Sequence, residues 1–196
     1  MSLVVAISGC GGGGSGPQNL FQTLQRKCRK PDFVPIDTIP DDYHENIKRV
    51  KDLVSSHLNQ NVYLMGYSMG GAIAACAAYE LNKQRPNAIQ GLIFLNTQTE
   101  GLQALQELSV PVLFFHGTED RYFPVQDIQD IYDKYQGDKE LVLVEGMGHD
   151  CKFNKNPSGL SSLTKMIQDY LPKFCNEGSL ADSQDSETAS FSCTVS

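Results

Sequence analysis

The sequence predicts an α/β protein: a three-layer α/β/α sandwich around a mostly parallel sheet of about six strands. Two observations carry this. Short apolar runs alternate with segments of helical period almost from end to end, and that alternation builds a parallel sheet covered on both faces. The chain also has 196 residues, 40% of them hydrophobic and 20% charged, enough for one sizeable core.

The elements follow in order. Met1 to Ile7 is apolar and lacks the basic flank and cleavage site of a secretory signal, so 3–8 is read as a first strand. Further strands are expected at 33–37, 61–66, 91–95, 111–115 and 140–144. Helices are expected at 17–29, 43–58, 69–83, 124–135 and 157–171. Pro17 suits the first turn of the first helix. In the last, Leu160, Leu163, Ile167, Tyr170 and Leu171 recur at helical spacing and Pro172 is expected to stop the pattern. Crossovers between parallel strands are expected to be right-handed. The folded domain is therefore expected to occupy residues 1–175. Residues 176–196 are acidic and serine-rich, with no Lys or Arg, and read as a flexible tail that buries too little apolar surface to order itself.

Composition narrows the partners. A net charge of −7 and a pI near 5.0 argue against nucleic acid. The one dense basic cluster, Arg26, Lys27, Arg29 and Lys30, fits the solvated end of a helix. No run of 18 apolar residues spans a membrane. The six cysteines show neither Cys-x-x-Cys spacing nor a zinc pattern, and with no secretory signal they are expected as free thiols in the cytoplasm.

The chemistry centres on Gly66-Tyr67-Ser68-Met69-Gly70, which follows an apolar strand and opens a helix of small residues. A serine at such a turn is strained and exposed, and the Met69 amide at the helix start is placed to bind an oxyanion. A serine nucleophile needs a base, and the base an orienting acid. Of four histidines, His44 and His57 lie in the second helical segment, His116 ends the fifth strand and His149 follows the sixth. Ligands collect beyond the carboxyl ends of parallel strands, which favours His149; Glu119 and Asp120, after the fifth strand, supply two candidate carboxylates at the same edge.

In Gly66-Tyr67-Ser68-Met69-Gly70-Gly71, His116-Gly117-Thr118-Glu119-Asp120 and Gly146-Met147-Gly148-His149, the chain resembles the α/β-hydrolase family over about residues 2–173, in the family's order Ser, Asp, His. The resemblance implies Ser68 as nucleophile, His149 as general base and Asp120, rather than Glu119, as the acid. It implies a second oxyanion donor in the loop after the first strand. There the family often has His-Gly and this chain has Ser8-Gly9, so the donor falls on the amide of Cys10, with Gly11 in reserve. The Cys10 thiol is expected to be a bystander. Where many members insert a lid, Asn96 to Val110 is only 15 residues, with room for one short helix, and the two N-terminal strands of larger members are absent. The resemblance is thus to small lidless members: carboxylesterases, acyl-protein thioesterases and lysophospholipase-like enzymes.

The expected function is hydrolysis of carboxylic esters or thioesters through an acyl-enzyme, on a small acyl ester, a lipid or an acylated protein, with no metal or organic cofactor. Leu102, Leu105, Tyr122, Phe123 and Met147 are candidates to line the site. Two alternatives stand beside this: a non-catalytic hydrolase-fold binding protein, and an amidase or peptidase with the same triad. A dinucleotide fingerprint, Gly9-x-Gly11-x-x-Gly14 with Asp37 beyond it, is the rival reading of the glycine run, but it leaves Ser68, Asp120 and His149 unexplained. The terminus Cys193-Thr194-Val195-Ser196 fits a farnesylation signal, which would give weak membrane association through Cys193.

Overall fold

The computed structural model describes residues 1–28 and 30–177, with the side chains of 176 and 177 left aside. Arg29, Cys193 and the rest of residues 178–196 lie outside the described residues, so of the tail expected over 176–196 only its first two residues are described, as the end of the last helix.

Six strands form one sheet: β1 (Ser2–Ile7), β2 (Asp32–Ile36), β3 (Asn61–Tyr67), β4 (Gly91–Leu95), β5 (Val112–Gly117) and β6 (Lys139–Val144). Their order is β2-β1-β3-β4-β5-β6 and every pairing is parallel. The helices are α1 (Leu20–Lys27), α2 (Tyr43–Ser55), α3 (Met69–Gln84), α4 (Val125–Lys134) and α5 (Gly159–Glu177).

Two-residue periodicity divides each strand between two cores. Leu3, Val5, Ile7, Val62, Leu64, Phe94 and Phe114 point to one face, with Val50 and Val54 of α2, Ile73 and Ala77 of α3 and Ile128 of α4. Val4, Ala6, Tyr63, Met65, Ile93 and Phe115 point to the other, with Phe21 and Leu24 of α1 and Leu163, Ile167 and Leu171 of α5. Strands buried on both faces must be apolar at successive positions, which is why they read as continuous runs.

Two expectations change. The segment 17–29 is a 3₁₀ turn at Pro17–Asn19 followed by the shorter α1, because Gln18 and Asn19 take left-handed φ values of 49° and 57° and Cys28 is extended. Pro172 does not end α5, which runs on to Glu177. Proline removes one helical hydrogen bond; against that loss, Leu171, Phe174 and Cys175 are all buried. The Cys175 carbonyl also accepts hydrogen bonds from Tyr63 Oη at 2.9 Å and Ser2 Oγ at 3.1 Å. Cys175 is itself a buried core residue. Among the described residues, no helix is long and apolar enough to cross a membrane.

β1 is the strand from which the chain winds one way to β2 and, returning, the other way to β3. Such a reversal opens a crevice at the carboxyl ends of the two central strands. The glycine-rich loop after β1 and the turn after β3 both lie at that crevice, and the site is found there.

Candidate active site

Ser68 sits between β3 and α3 with φ 53° and ψ −123°, a backbone conformation rare for any residue but glycine. The glycines around it permit close approach. A Cβ at Gly66 would collide with the backbone of Gly70 and Gly71, and one at Gly70 with the carbonyl oxygens of Ile7 and Ser8. A Cβ at Gly71 would meet Thr97, on the segment that follows β4. The turn is thus clamped between β1 and β4, and the serine hydroxyl is carried out to the strand edge.

His149, in the loop between β6 and α5, lies with its Nε2 3.1 Å from Ser68 Oγ. Its Nδ1 lies 2.8 Å from Asp120 Oδ2. The Nδ1 proton is donated to the carboxylate, so the Nε2 lone pair faces the serine hydroxyl. Asp120 follows β5 and its carboxylate is fully enclosed. Its Oδ1 accepts the amides of Tyr122 at 2.9 Å and Phe123 at 3.0 Å. Burial alone would raise the Asp120 pKa. The hydrogen bonds from His149, Phe123 and Tyr122, with the attraction of the imidazole, outweigh burial and hold it below the ordinary carboxylate value. Glu119 makes no such contact; its amide only donates to the Met147 carbonyl, at 3.0 Å.

Three aromatic rings surround the imidazole, Tyr67, Tyr122 and Phe123, with centroids 5.4, 5.1 and 5.2 Å away. His116 is buried, and its Nε2–H donates to the Phe123 carbonyl at 2.8 Å. Burial pushes the His116 pKa down more than that carbonyl and Asp120 raise it, so the ring is neutral and braces the loop that carries Asp120.

A cleft of about 280 Å³ opens beside Ser68, lined by Cys10, Pro17, Tyr67, Ser68, His149 and backbone of the glycine run. That run is pinned from beneath. The buried Ser8 hydroxyl donates to the Gly12 carbonyl, Thr38 Oγ1 donates to the Gly9 carbonyl, and the Gly14 amide donates to Asp37. Asp37, the acid of the rival fingerprint, therefore ties the loop down. A Cβ at Gly9 would lie 3.2 Å from that of Ser68, so the loop passes directly over the serine and brings Cys10 to the cleft. Met69 begins α3, where the first amides have no intrahelical acceptor.

The structure thus brings Ser68, Asp120, His149, Cys10 and Met69 to one edge. Other expectations do not hold. Leu102 and Leu105 line a separate cavity of about 120 Å³ with Thr99, Gln103, Ile131 and Tyr135. Met147 is fully buried in the core. Of the expected lining, Tyr122 and Phe123 lie at the site, against His149. Tyr67, inside the serine motif, lines the cleft and carried its signal in that position. His44, in α2, and His57, just after it, take no part.

Comparison with known proteins agrees with the fold. The sequence profile described as the alpha/beta hydrolase family matches residues 45–156, which include Ser68, Asp120 and His149. Est1E from Butyrivibrio proteoclasticus superposes with a TM-score of 0.64 at 15% identity, over 87% of each chain. A monoacylglycerol lipase from Paleococcus ferrophilus gives 0.67 at 15% identity, over 86% of this chain and 93% of the other. A dienelactone hydrolase from Anabaena variabilis gives 0.62 at 20% identity, over 86% and 84%. The uncharacterized protein YqkD of Bacillus subtilis is 31% identical over 70 residues, 36% of this chain and 22% of that protein, so the chain matches about a fifth of that relative's length. With the profile covering more than half of its length and the parallel sheet matching those enzymes, the chain belongs to the alpha/beta hydrolase family.

Proposed function

We propose that the protein is a serine hydrolase of carboxylic esters or thioesters. One observation carries the reading: a single imidazole bridges a strained serine hydroxyl and an enclosed carboxylate, at 3.1 and 2.8 Å. Ser68 Oγ attacks the acyl carbonyl carbon while His149 Nε2 takes its proton. Asp120 holds the imidazole in the required tautomer and balances the imidazolium. The carbonyl oxygen becomes an oxyanion held by the amides of Met69 and Cys10. Collapse of the tetrahedral intermediate breaks the bond to the leaving oxygen or sulfur, which receives the proton from His149. Water then adds to the acyl-enzyme with His149 as base, and the acid departs.

The cleft supports a small acyl group, or one presented by a larger molecule. Its walls are largely glycine backbone, with the Tyr67 ring and Pro17 as apolar surfaces. The segment that carries a lid in larger relatives is here one 3₁₀ turn, Leu102–Glu107, packed on its own side of the molecule. The monoacylglycerol lipase and the dienelactone hydrolase named above take an acylglycerol and a lactone by their names, which is consistent with an ester substrate here.

The test is labelling with a fluorophosphonate, alongside hydrolysis of p-nitrophenyl acetate. Wild type should label and turn over; Ser68→Ala should do neither. Equal labelling of the variant would move the nucleophile elsewhere. Folded wild type that never labels would favour a binding protein that kept the fold.

A further inference from the structure

The side chain that joins the parts of this site belongs to none of its motifs. Asn96 is the first residue after β4, is 1% exposed, and has a left-handed φ of 42°. Its Oδ1 accepts the amide of Gly117, the last residue of β5, at 2.8 Å. Its Nδ2 donates to two successive carbonyls of the next loop, Gly148 at 2.9 Å and His149 at 2.8 Å. The residues on either side of Asn96 seat the serine. The Ser68 amide donates to the Leu95 carbonyl at 3.2 Å, and the Ser68 carbonyl accepts the Gln98 amide at 3.2 Å and Thr97 Oγ1 at 3.4 Å. Gly117 in turn accepts the amide of Asp120 at 3.2 Å.

One segment after β4 therefore touches the backbone at Ser68, at His149 and at the residue that anchors Asp120. The Nδ1 bond to Asp120 orients the imidazole, but His149 and Asp120 both sit on loops beyond strand ends. Before His149 the loop is tied to the one after β5, with the Gly146 amide donating to Thr118 Oγ1 at 2.9 Å and the Glu119 amide to the Met147 carbonyl at 3.0 Å, and Met147 and Cys151 are buried on either side; the carbonyl of His149 itself is held by Asn96. A carboxamide is the one group that accepts from β5 and donates to both carbonyls at once. A residue chosen only for its left-handed φ would need none of these three bonds.

We propose that Asn96 is a positioning residue that sets the separation of His149 from Ser68 by fastening the His149 loop to the ends of β4 and β5. The proposal rests on the reading of Ser68 and His149 as nucleophile and base.

Two variants test it. Asn96→Gly keeps the left-handed backbone and removes the carboxamide. Asn96→Asp keeps shape and the bond from Gly117, but turns an acceptor toward the two carbonyls. Both are expected to fold and to lose kcat per titratable serine by roughly tenfold to a hundredfold, the loss a misplaced catalytic group brings, with KM changed by less than about twofold. Wild type is expected to show a low-field Nδ1 proton resonance for His149, from its bond to Asp120, and that resonance is expected to shift or vanish in both variants. Folded variants with wild-type kcat, a loss carried in KM alone, or an unchanged resonance would overturn the proposal. Failure of both variants to fold would also overturn it, by making Asn96 a structural residue. Wild type that hydrolyses no ester would remove the catalytic reading instead, and the His149 resonance would still decide whether Asn96 holds the imidazole in place.

Discussion

Ser68 holds a backbone conformation that costs about 1–3 kcal/mol and persists because its neighbours over-determine it. The glycines are the means. A methyl group at Gly70 would press on the Ile7 and Ser8 carbonyls, both part of the rigid end of β1. Gly70→Ala is therefore expected to destabilise the protein by about 3 kcal/mol or more, the upper range for overpacking, read by denaturant melts; a wild-type midpoint would show that the turn is looser than described. Asp120→Asn separates chemistry from folding. The amide oxygen can still accept from Tyr122 and Phe123, but the amide nitrogen faces His149 Nδ1 and selects the wrong tautomer. It should keep the melting temperature and lose roughly 10⁴-fold in kcat. Because Asp120 is held below its ordinary pKa, it stays charged through the acid limb of the activity profile. Activity should then fall on the acid side with a slope of one in log kcat/KM against pH, the loss of a single site; a slope of two would mean that the carboxylate titrates in the same range. Ser68, Asp120 and His149 were legible because each sits in a motif tied to a strand end. Asn96 was not, because a single Asn after a strand has no signature: its meaning comes from partners 21, 52 and 53 positions away.

At the scale of elements, the strands were legible to within two residues, and β1, β3, β4 and β5 stood out because burial on both faces makes each a continuous apolar run. The misread ends, at the 3₁₀ turn Pro17–Asn19 and at Pro172, are where tertiary contacts overrode local preference. The loop after β5 has its own pH sensitivity. His116 is buried neutral with its pKa lowered, so the unfolded chain binds more protons than the folded one once pH drops below the ordinary histidine value, near 6.5. The sign is a stability that declines as pH falls from there toward the folded pKa. Melting temperature should decline over that range in wild type and less steeply in His116→Gln; parallel slopes would assign the loss to other groups.

For the whole molecule, the strand order could not be read from the sequence, since alternation dictates a parallel sheet but not which strands neighbour. The observed β2-β1-β3-β4-β5-β6 order puts the reversal between β1 and β3, and so sets the glycine loop beside the Ser68 turn. Ser68, Asp120, His149, Cys10 and Met69 all precede residue 178, as do both cores among the described residues. Truncation after Glu177 is therefore expected to leave ester hydrolysis unchanged; lost activity would mean that the remaining residues contribute to the site. Cys193, outside the described residues, can be tested for a farnesyl group by intact mass of wild type against Cys193→Ser coexpressed with a farnesyltransferase.

The central claim is that acyl transfer runs through Ser68. The direct measurement is acid quench of wild type during turnover of p-nitrophenyl acetate, followed by peptide mapping. The account predicts an acetyl group on Ser68, absent in Ser68→Ala. Acetyl found on Cys10, the exposed thiol in the same cleft, would contradict it.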